Sequence, residues 1–229
     1  MGPGTHARGI AGGWLIGIAT ALVIIGGSIA PFLTPQFVRF EQDRTGVAGL
    51  TGFSTGQLDQ VVGQILGDLV FWRGDFAVSV GAGPMLGDVL TEPERSHMRD
   101  VRNVFTGLYL LVLVGIATLV FALRRARSSA ARAAAWRGVR NGGRGLAVVI
   151  AVLGVFAIVA FDAAFEVFHR LFFSAGTYSF DPATSKLVQL FPDAFWSETA
   201  IIVGGVVIVS AIIVAWFAGR RVAGLEAAA

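Results

Sequence analysis

The chain contains no cysteine. Disulfides, thiolate metal sites and a cysteine nucleophile are therefore excluded, and the chain cannot itself carry a lipid on a cysteine. Charge is scarce as well: 14% of the 229 residues are charged against 55% hydrophobic, at a mean hydropathy of +0.71. A soluble core of this size cannot absorb so much apolar surface, so the composition indicates an integral membrane protein. No G-x-S-x-G elbow occurs, and Ser96, Ser174, Ser179 and Ser197 lack a distinctive local signature. A nucleophilic serine is thus unsupported. Histidine is nearly as rare, at three residues.

What the chain does have is long apolar runs. Uncharged stretches cover Gly9 to Val38, Asn103 to Leu123, Gly145 to Phe161 and Thr199 to Gly219. A helix rises about 1.5 Å per residue against a hydrocarbon core of about 30 Å. The runs predict spans at 10–33, 103–124, 145–168 and 199–219, the third reaching full length only by continuing through Asp162 and Glu166. The expected fold is all-α, a single membrane domain over 1–229: a four-helix bundle with an extracytoplasmic loop region containing a short amphipathic helix. The first run exceeds the apolar region of about 7–15 residues in a signal peptide, so it is read as an uncleaved span rather than a cleaved leader. Within it, Gly13 and Gly17 form a small-xxx-small pair suited to close helix packing.

Seven arginines lie between Arg124 and Arg144 with no acid among them, and Arg220 and Arg221 follow the fourth span. By the positive-inside bias the 125–144 loop and both termini are expected in the cytoplasm. Orientation and anionic-lipid contact account for a basic loop between two spans better than nucleic-acid binding does, so membrane lipids and no nucleic acid are expected as partners. The outer side receives loops 34–102 and 169–198, and of the 15 acids 14 fall between Thr34 and Arg102 or between Asp162 and Glu198, with only Glu226 elsewhere. Within the first loop, Leu58, Val61, Val62, Ile65, Leu66, Leu69 and Val70 recur at helical spacing opposite Gln57, Asp59, Gln60, Gln64 and Asp68. This is an amphipathic helix capped by Ser54 or Thr55, whose apolar face either packs on the bundle or lies in the outer leaflet. Gly81, Gly83, Pro84 and Gly87 read as loop.

His97 and His169 sit where apolar runs meet polar segments, each three residues after a glutamate, Glu94 and Glu166. An imidazole, with an unperturbed pKa of about 6.5, moves protons near neutral pH. If helical, each Glu-His pair shares a face, and two chemistries fit the repetition. One is a di-metal site in which Glu198 and Glu41 complete two Glu-x-x-His pairs. The other is metal-free acid/base work on a nucleophile supplied by the substrate. Asp100 is placed to hold His97 in one tautomer or to pair with Arg99 or Arg102. Phe165, Phe168, Phe172 and Phe173 are either an interfacial belt or an acyl-chain slot. A non-catalytic membrane subunit whose outer loops bind a partner is the third reading.

The motif His-Met-x-Asp-Val-Arg from His97 to Arg102, then Phe-His-x-x-Phe-Phe from Phe168 to Phe173, Phe180-Asp181-Pro182, Leu190, Pro192 and Phe195-Trp196, resembles the bacterial lipoprotein intramolecular transacylases. The resemblance covers nearly the whole chain. It implies a four-span acyltransferase of the cytoplasmic membrane, active at the outer face on diacylglyceryl-modified lipoproteins. Such an enzyme moves the sn-2 acyl chain to the α-amino group of the N-terminal cysteine and leaves a lyso-form lipoprotein. It implies His97 and His169 as the catalytic residues; Glu94, Asp100, Arg102, Glu166, Phe168, Phe172, Phe173 and Trp196 are expected as supporting or substrate-binding groups around them. Family members often carry lysine where this chain has Arg102. Amine attack needs proton transfer and oxyanion donors but no Lewis acid, so no metal or other cofactor is expected.

Overall fold

The apolar runs are helical. The structure, a computed structural model, describes residues 3–81 and 87–228, with side chains from residue 13 onward. In chain order it comprises α1 (Pro3–Ile29), a 3-10 turn (Ala30–Leu33), α2 (Pro35–Arg44), α3 (Val47–Thr51), α4 (Thr55–Phe71), β1 (Ser79–Val80) and β2 (Gly87–Asp88). There follow α5 (Glu92–Arg125), α6 (Ser129–Val159), α7 (Phe161–Phe172), α8 (Lys186–Leu190) and α9 (Asp193–Ala227). Four stretches are long and apolar enough to cross a membrane: Gly13–Leu33, Glu92–Arg125, Ser129–Val159 and Asp193–Ala227. The fold is all-α, and the protein is a membrane protein.

Two compact units contain these elements. One comprises residues 1–29, 108–155 and 203–229. Its helices meet through small residues, as expected where apolar burial supplies no driving force between helices. A Cβ at Gly142 would stand 2.6 Å from the Gly17 Cα, and one at Gly143 would stand 2.8 Å from the Ala211 carbonyl oxygen. The small-residue pair of α1 thus packs against α6, with the Gly13 carbonyl 3.3 Å from where a Gly138 Cβ would be. Val148, Val152, Val155, Ile212 and Ile213 are exposed, the apolar exterior that lipid would cover.

The second unit comprises residues 30–107 and 156–202. Ser54 caps α4 through a capping box with Gln57, and the apolar face of the helix is buried, Val61 and Leu58 at 0% and 1% exposure. Of the two places open to that face, packing is the one observed. Phe76, Val78, Val89 and Leu90 from the following loop, with Leu187 and Leu190 of α8, cover it. Each such side chain contributes roughly 1.5–3 kcal/mol. Asp68, expected on the polar face, is instead buried and accepts from the Phe76 amide at 2.7 Å.

Three segment boundaries differ from expectation. The arginine-rich 125–144 stretch is not a loop: α6 starts at Ser129, capped by Ser128, whose hydroxyl accepts from Ala131 N, and Ala and Arg are strong helix formers. With 31 residues α6 is about 46 Å long and has no need of Asp162 and Glu166 to reach span length. The third span accordingly ends at Val159; Ala160 leaves helical geometry at φ −142, ψ 58, and α7 begins anew. Residues 34–102 and 169–198 carry α2, α3, the first turns of α5 and α8 besides the expected amphipathic helix α4. Gly87, expected in a loop, pairs with Val80 in a two-residue hairpin; Gly81 is in a bend, while Gly83 and Pro84 lie outside the described residues.

Candidate active site

α5 opens with Thr91 as cap, and Glu94 in its first turn returns a bond to the Thr91 amide at 2.7 Å, half of a capping box. That start fixes the register that carries His97 on the second turn. α7 carries His169 one turn from its end. The two imidazoles, 72 positions apart in sequence, face each other with ring centroids 6.1 Å apart and planes 23° from parallel. Both are buried, at 8% and 7% exposure. Phe173 packs against both rings (4.8 and 5.4 Å), Phe180 against His97, and Phe165 and Tyr178 against His169 at 4.1 and 5.0 Å.

The hydrogen bonding of the two rings differs. Nδ1 of His169 lies 2.8 Å from the Phe165 carbonyl oxygen. A carbonyl only accepts, so in the neutral ring Nδ1 carries the proton and Nε2 holds a free lone pair. Nδ1 of His97 is buried without a hydrogen-bond partner among the described residues. Asp100 therefore does not clamp His97 through a hydrogen bond, although it lies on the same helix.

The other acids are engaged elsewhere. Glu94, 1% exposed, does not turn to His97: its oxygens accept from Thr91 Oγ1 (2.7 Å), Ser185 Oγ (2.5 Å) and the Leu187 amide (3.0 Å) besides Thr91 N. Glu166 pairs with Arg170 at 2.7 Å and accepts from the Tyr178 hydroxyl; the Arg170 bond holds its carboxyl below the usual range. Glu198 binds Arg44 at 2.5 Å, and Arg44 Nε lies 3.7 Å from Glu41. Glu41 is fully buried with both oxygens unbonded among the described residues; burial first, then neighbouring Glu198, pushes its carboxyl up. The carboxylates of the di-metal reading thus belong to three separate sets, and no three metal-capable groups converge among the described residues.

Arg102 is likewise held away from the histidines. Its guanidinium stacks over Trp72 at 4.2 Å and Phe76 at 5.1 Å, donates to the Gly74 carbonyl at 2.8 Å and reaches Asp75. This pins the 72–76 loop, where Trp72 and Phe76 both adopt positive φ. Beside Phe173, a cleft of about 330 Å³ is lined by Asp100, Asn103, Val104, Phe172, Phe173 and Ser174. Phe168, Phe172 and Trp196 are 46%, 51% and 40% exposed, while Phe173 is buried. Sequence reasoning gave no place to Asn103, Tyr178 and the brace residues Thr91 and Ser185, and weighed Ser174 only as a nucleophile. Only Thr91 had a readable signal, the T-x-x-E pattern of a capping box before an apolar run.

Over residues 14–196 the chain matches the family model described as "Lipoprotein intramolecular transacylase Lit". A protein of Aquifex aeolicus (strain VF5), described only as uncharacterized, is 27% identical over 117 residues; the match spans 49% of this chain, and about half (49%) of that relative's length. Among solved structures, the membrane integral lipoprotein intramolecular transacylase Lit from Bacillus cereus, in a form with one histidine replaced by arginine, has a TM-score of 0.74 at 15% identity. That likeness covers 98% of this chain and 96% of the other. A second structure of the same protein gives 0.73 at 17% identity, covering 98% and 100%. At such identities the likeness establishes the fold.

Proposed function

The chain belongs to the lipoprotein intramolecular transacylase family, and we propose that it moves the sn-2 acyl chain of a diacylglyceryl lipoprotein to the α-amino group of the N-terminal cysteine. The observation that carries this reading is the face-to-face pair of buried imidazoles walled by aromatic rings. An α-amino group has a pKa near 7.7–8.0 and must lose a proton before attacking an ester. Nε2 of His169, which holds the lone pair in the neutral ring whose Nδ1 donates to Phe165, is the base. The neutral amine attacks the ester carbonyl, the C–N bond forms, the carbonyl oxygen becomes anionic, and the nitrogen gives its surplus proton to the histidine pair. Collapse breaks the C–O bond, and the departing glycerol oxygen takes a proton delivered through the histidine pair. The products are an amide and a free sn-2 hydroxyl. Amine and ester belong to one molecule, and proximity supplies roughly 7–11 kcal/mol of the barrier. Exposed Phe168, Phe172 and Trp196 line the path of the acyl chain, and the cleft at Asn103 and Ser174 offers polar contacts to the lipopeptide.

The positive-inside bias supports a placement of the 125–144 segment and both termini in the cytoplasm of a bacterial cell, with the histidines at the outer face of its membrane. Mass spectrometry of a lipoprotein N-terminus, with and without this protein, tests the activity. His97→Ala and His169→Ala should each abolish the N-acyl lyso form while leaving the protein in the membrane, because each acid/base group contributes about 10²–10⁴-fold. Both act in one transfer, so the double variant should be little worse than the poorer single one. His6→Ala should be silent. Near-normal lyso-form production by either outer-histidine variant, at normal protein levels, would overturn the paired-histidine mechanism.

A further inference from the structure

The unit built from residues 1–29, 108–155 and 203–229 contains ten arginines and a single acid, Glu226. Glu226 is taken by Arg137 at 2.7 Å. Among the described residues of this unit no other acidic side chain is present for the remaining guanidinium groups. Three of them converge: Arg132 from the first turns of α6 and Arg220 and Arg221 from the last turns of α9 line a recess of about 350 Å³ together with Trp136, Gly224 and Leu225. None of the three has a carboxylate within ion-pair distance among the described residues. Arg132 Nε donates to the Ala126 carbonyl, while Arg220 and Arg221 lie over Trp216 and Phe217 at 5.0 and 5.1 Å. Neither Arg220 nor Arg221 has a side-chain hydrogen bond among the described residues, so their N–H donors are available. A fork of this geometry matches the oxygens of a phosphate.

The recess also has an apolar side. Trp136 meets Phe217 edge-on at 5.8 Å, and Phe217, Trp216 and Ile213 are 44%, 60% and 58% exposed, forming a strip along α9 that adjoins the arginines. A Cβ at Gly224 would meet nothing within 4 Å, so space remains at the rim. The positive-inside bias accounts for the number of arginines, but not for a concave grouping drawn from two helices about 85 residues apart in sequence beside an aromatic strip. We propose that this recess binds the phosphate headgroup of an anionic phospholipid whose acyl chains lie along the exposed strip of α9. The shared chemistry is a phosphate oxygen cluster, which free phosphate also presents; the apolar strip selects the lipid.

Native mass spectrometry of the purified full chain tests this with phosphatidylglycerol, phosphatidylcholine and inorganic phosphate as separate probes. The expected result is a one-to-one phosphatidylglycerol adduct that persists at the energy where phosphatidylcholine is lost. Binding should weaken roughly tenfold in Arg221→Gln and in Arg132→Gln. Arg144→Gln, with the same charge change three turns along α6 and outside the recess, should keep the adduct, and helical content by circular dichroism should match the parent in all three. If Arg144→Gln weakened the adduct as much as Arg221→Gln, diffuse charge rather than the recess would bind lipid. If inorganic phosphate displaced the lipid at equal concentration, the site would be one for free anions. If phosphatidylcholine were retained equally, headgroup charge would play no part. Each of these three results overturns the proposal.

Discussion

Replacing Glu94 distinguishes a carboxylate that braces the fold from one that serves His97. Oε1 accepts from Ser185 Oγ at 2.5 Å and Leu187 N at 3.0 Å, and Oε2 accepts from Thr91 N and Thr91 Oγ1, both at 2.7 Å. Glu94→Gln preserves shape, but its amide nitrogen now faces one pair of these donors. Hydrogen bonds to a charged group contribute about 1.5–3 kcal/mol, and a buried donor left unmet costs about 1–3 kcal/mol. Two weakened bonds and a pair of donors left facing an amide nitrogen give an expected loss of about 3–5 kcal/mol. Ser185→Ala removes the cap bond that Ser185 Oγ accepts from Val188 N as well as the bond it donates to Glu94, and should cost about 2–3 kcal/mol. The two variants share the Ser185–Glu94 bond, so the double variant should fall short of the summed costs by about 1 kcal/mol. Denaturation of the full chain in detergent, followed by tryptophan fluorescence, measures these differences, with transacylation assayed well below the midpoint. Glu94→Gln should lower the midpoint and retain transacylation in the folded fraction. A parental midpoint with transacylation lost would mean that Glu94 acts on His97, and the bracing argument would fail.

Arg102→Lys keeps charge but loses the forked contact to Gly74 and Asp75 and the stack over Trp72; a loss of about 1–2 kcal/mol is expected by the same denaturation, and parental stability would show the stack to be dispensable. Gly142→Ala drives a Cβ into the Gly17 backbone and should cost about 1–3 kcal/mol, whereas Gly145→Ala, with nothing within 4 Å, should be tolerated; equal effects would refute the close approach of α1 and α6. Glu41 has its folded pKa raised by burial, so the stability its protonated form contributes is present at low pH and lost as pH rises through the folded value. The midpoint of Glu41→Gln relative to the parent should therefore climb between pH 4 and 7, and a flat difference would contradict the raised value. Since the chain has no native cysteine, single cysteines report topology cleanly: one at Ser179 should label from outside and one at Ser128 should not, the reverse pattern overturning the proposed orientation.

The properties legible from the chain alone are those set by neighbours in sequence. Four apolar runs, three of them long enough by themselves to cross a bilayer, specify the membrane class, because length against hydrocarbon thickness is a local count. The 3.6-residue period from Leu58 to Val70 and the Ser54 cap specify α4, because cap and stripe arise within one helix. The two histidines stand out because imidazoles are rare in this chain and end apolar runs. Other features depend on what the chain meets after folding. Glu94 and His97 share a helix, yet the carboxylate turns to Ser185 and Leu187, more than 90 positions away, because a buried acid is held where the most donors are. The break at Ala160 has no proline or glycine to announce it, and Arg102 is committed to the 72–76 loop by aromatic rings that only tertiary packing brings beneath it. The 6.1 Å approach of His97 and His169 is of the same kind. Residue type and spacing mark both imidazoles as candidates, but their pairing, and the single bond that leaves one of them a free lone pair, exist only once α5 and α7 have packed.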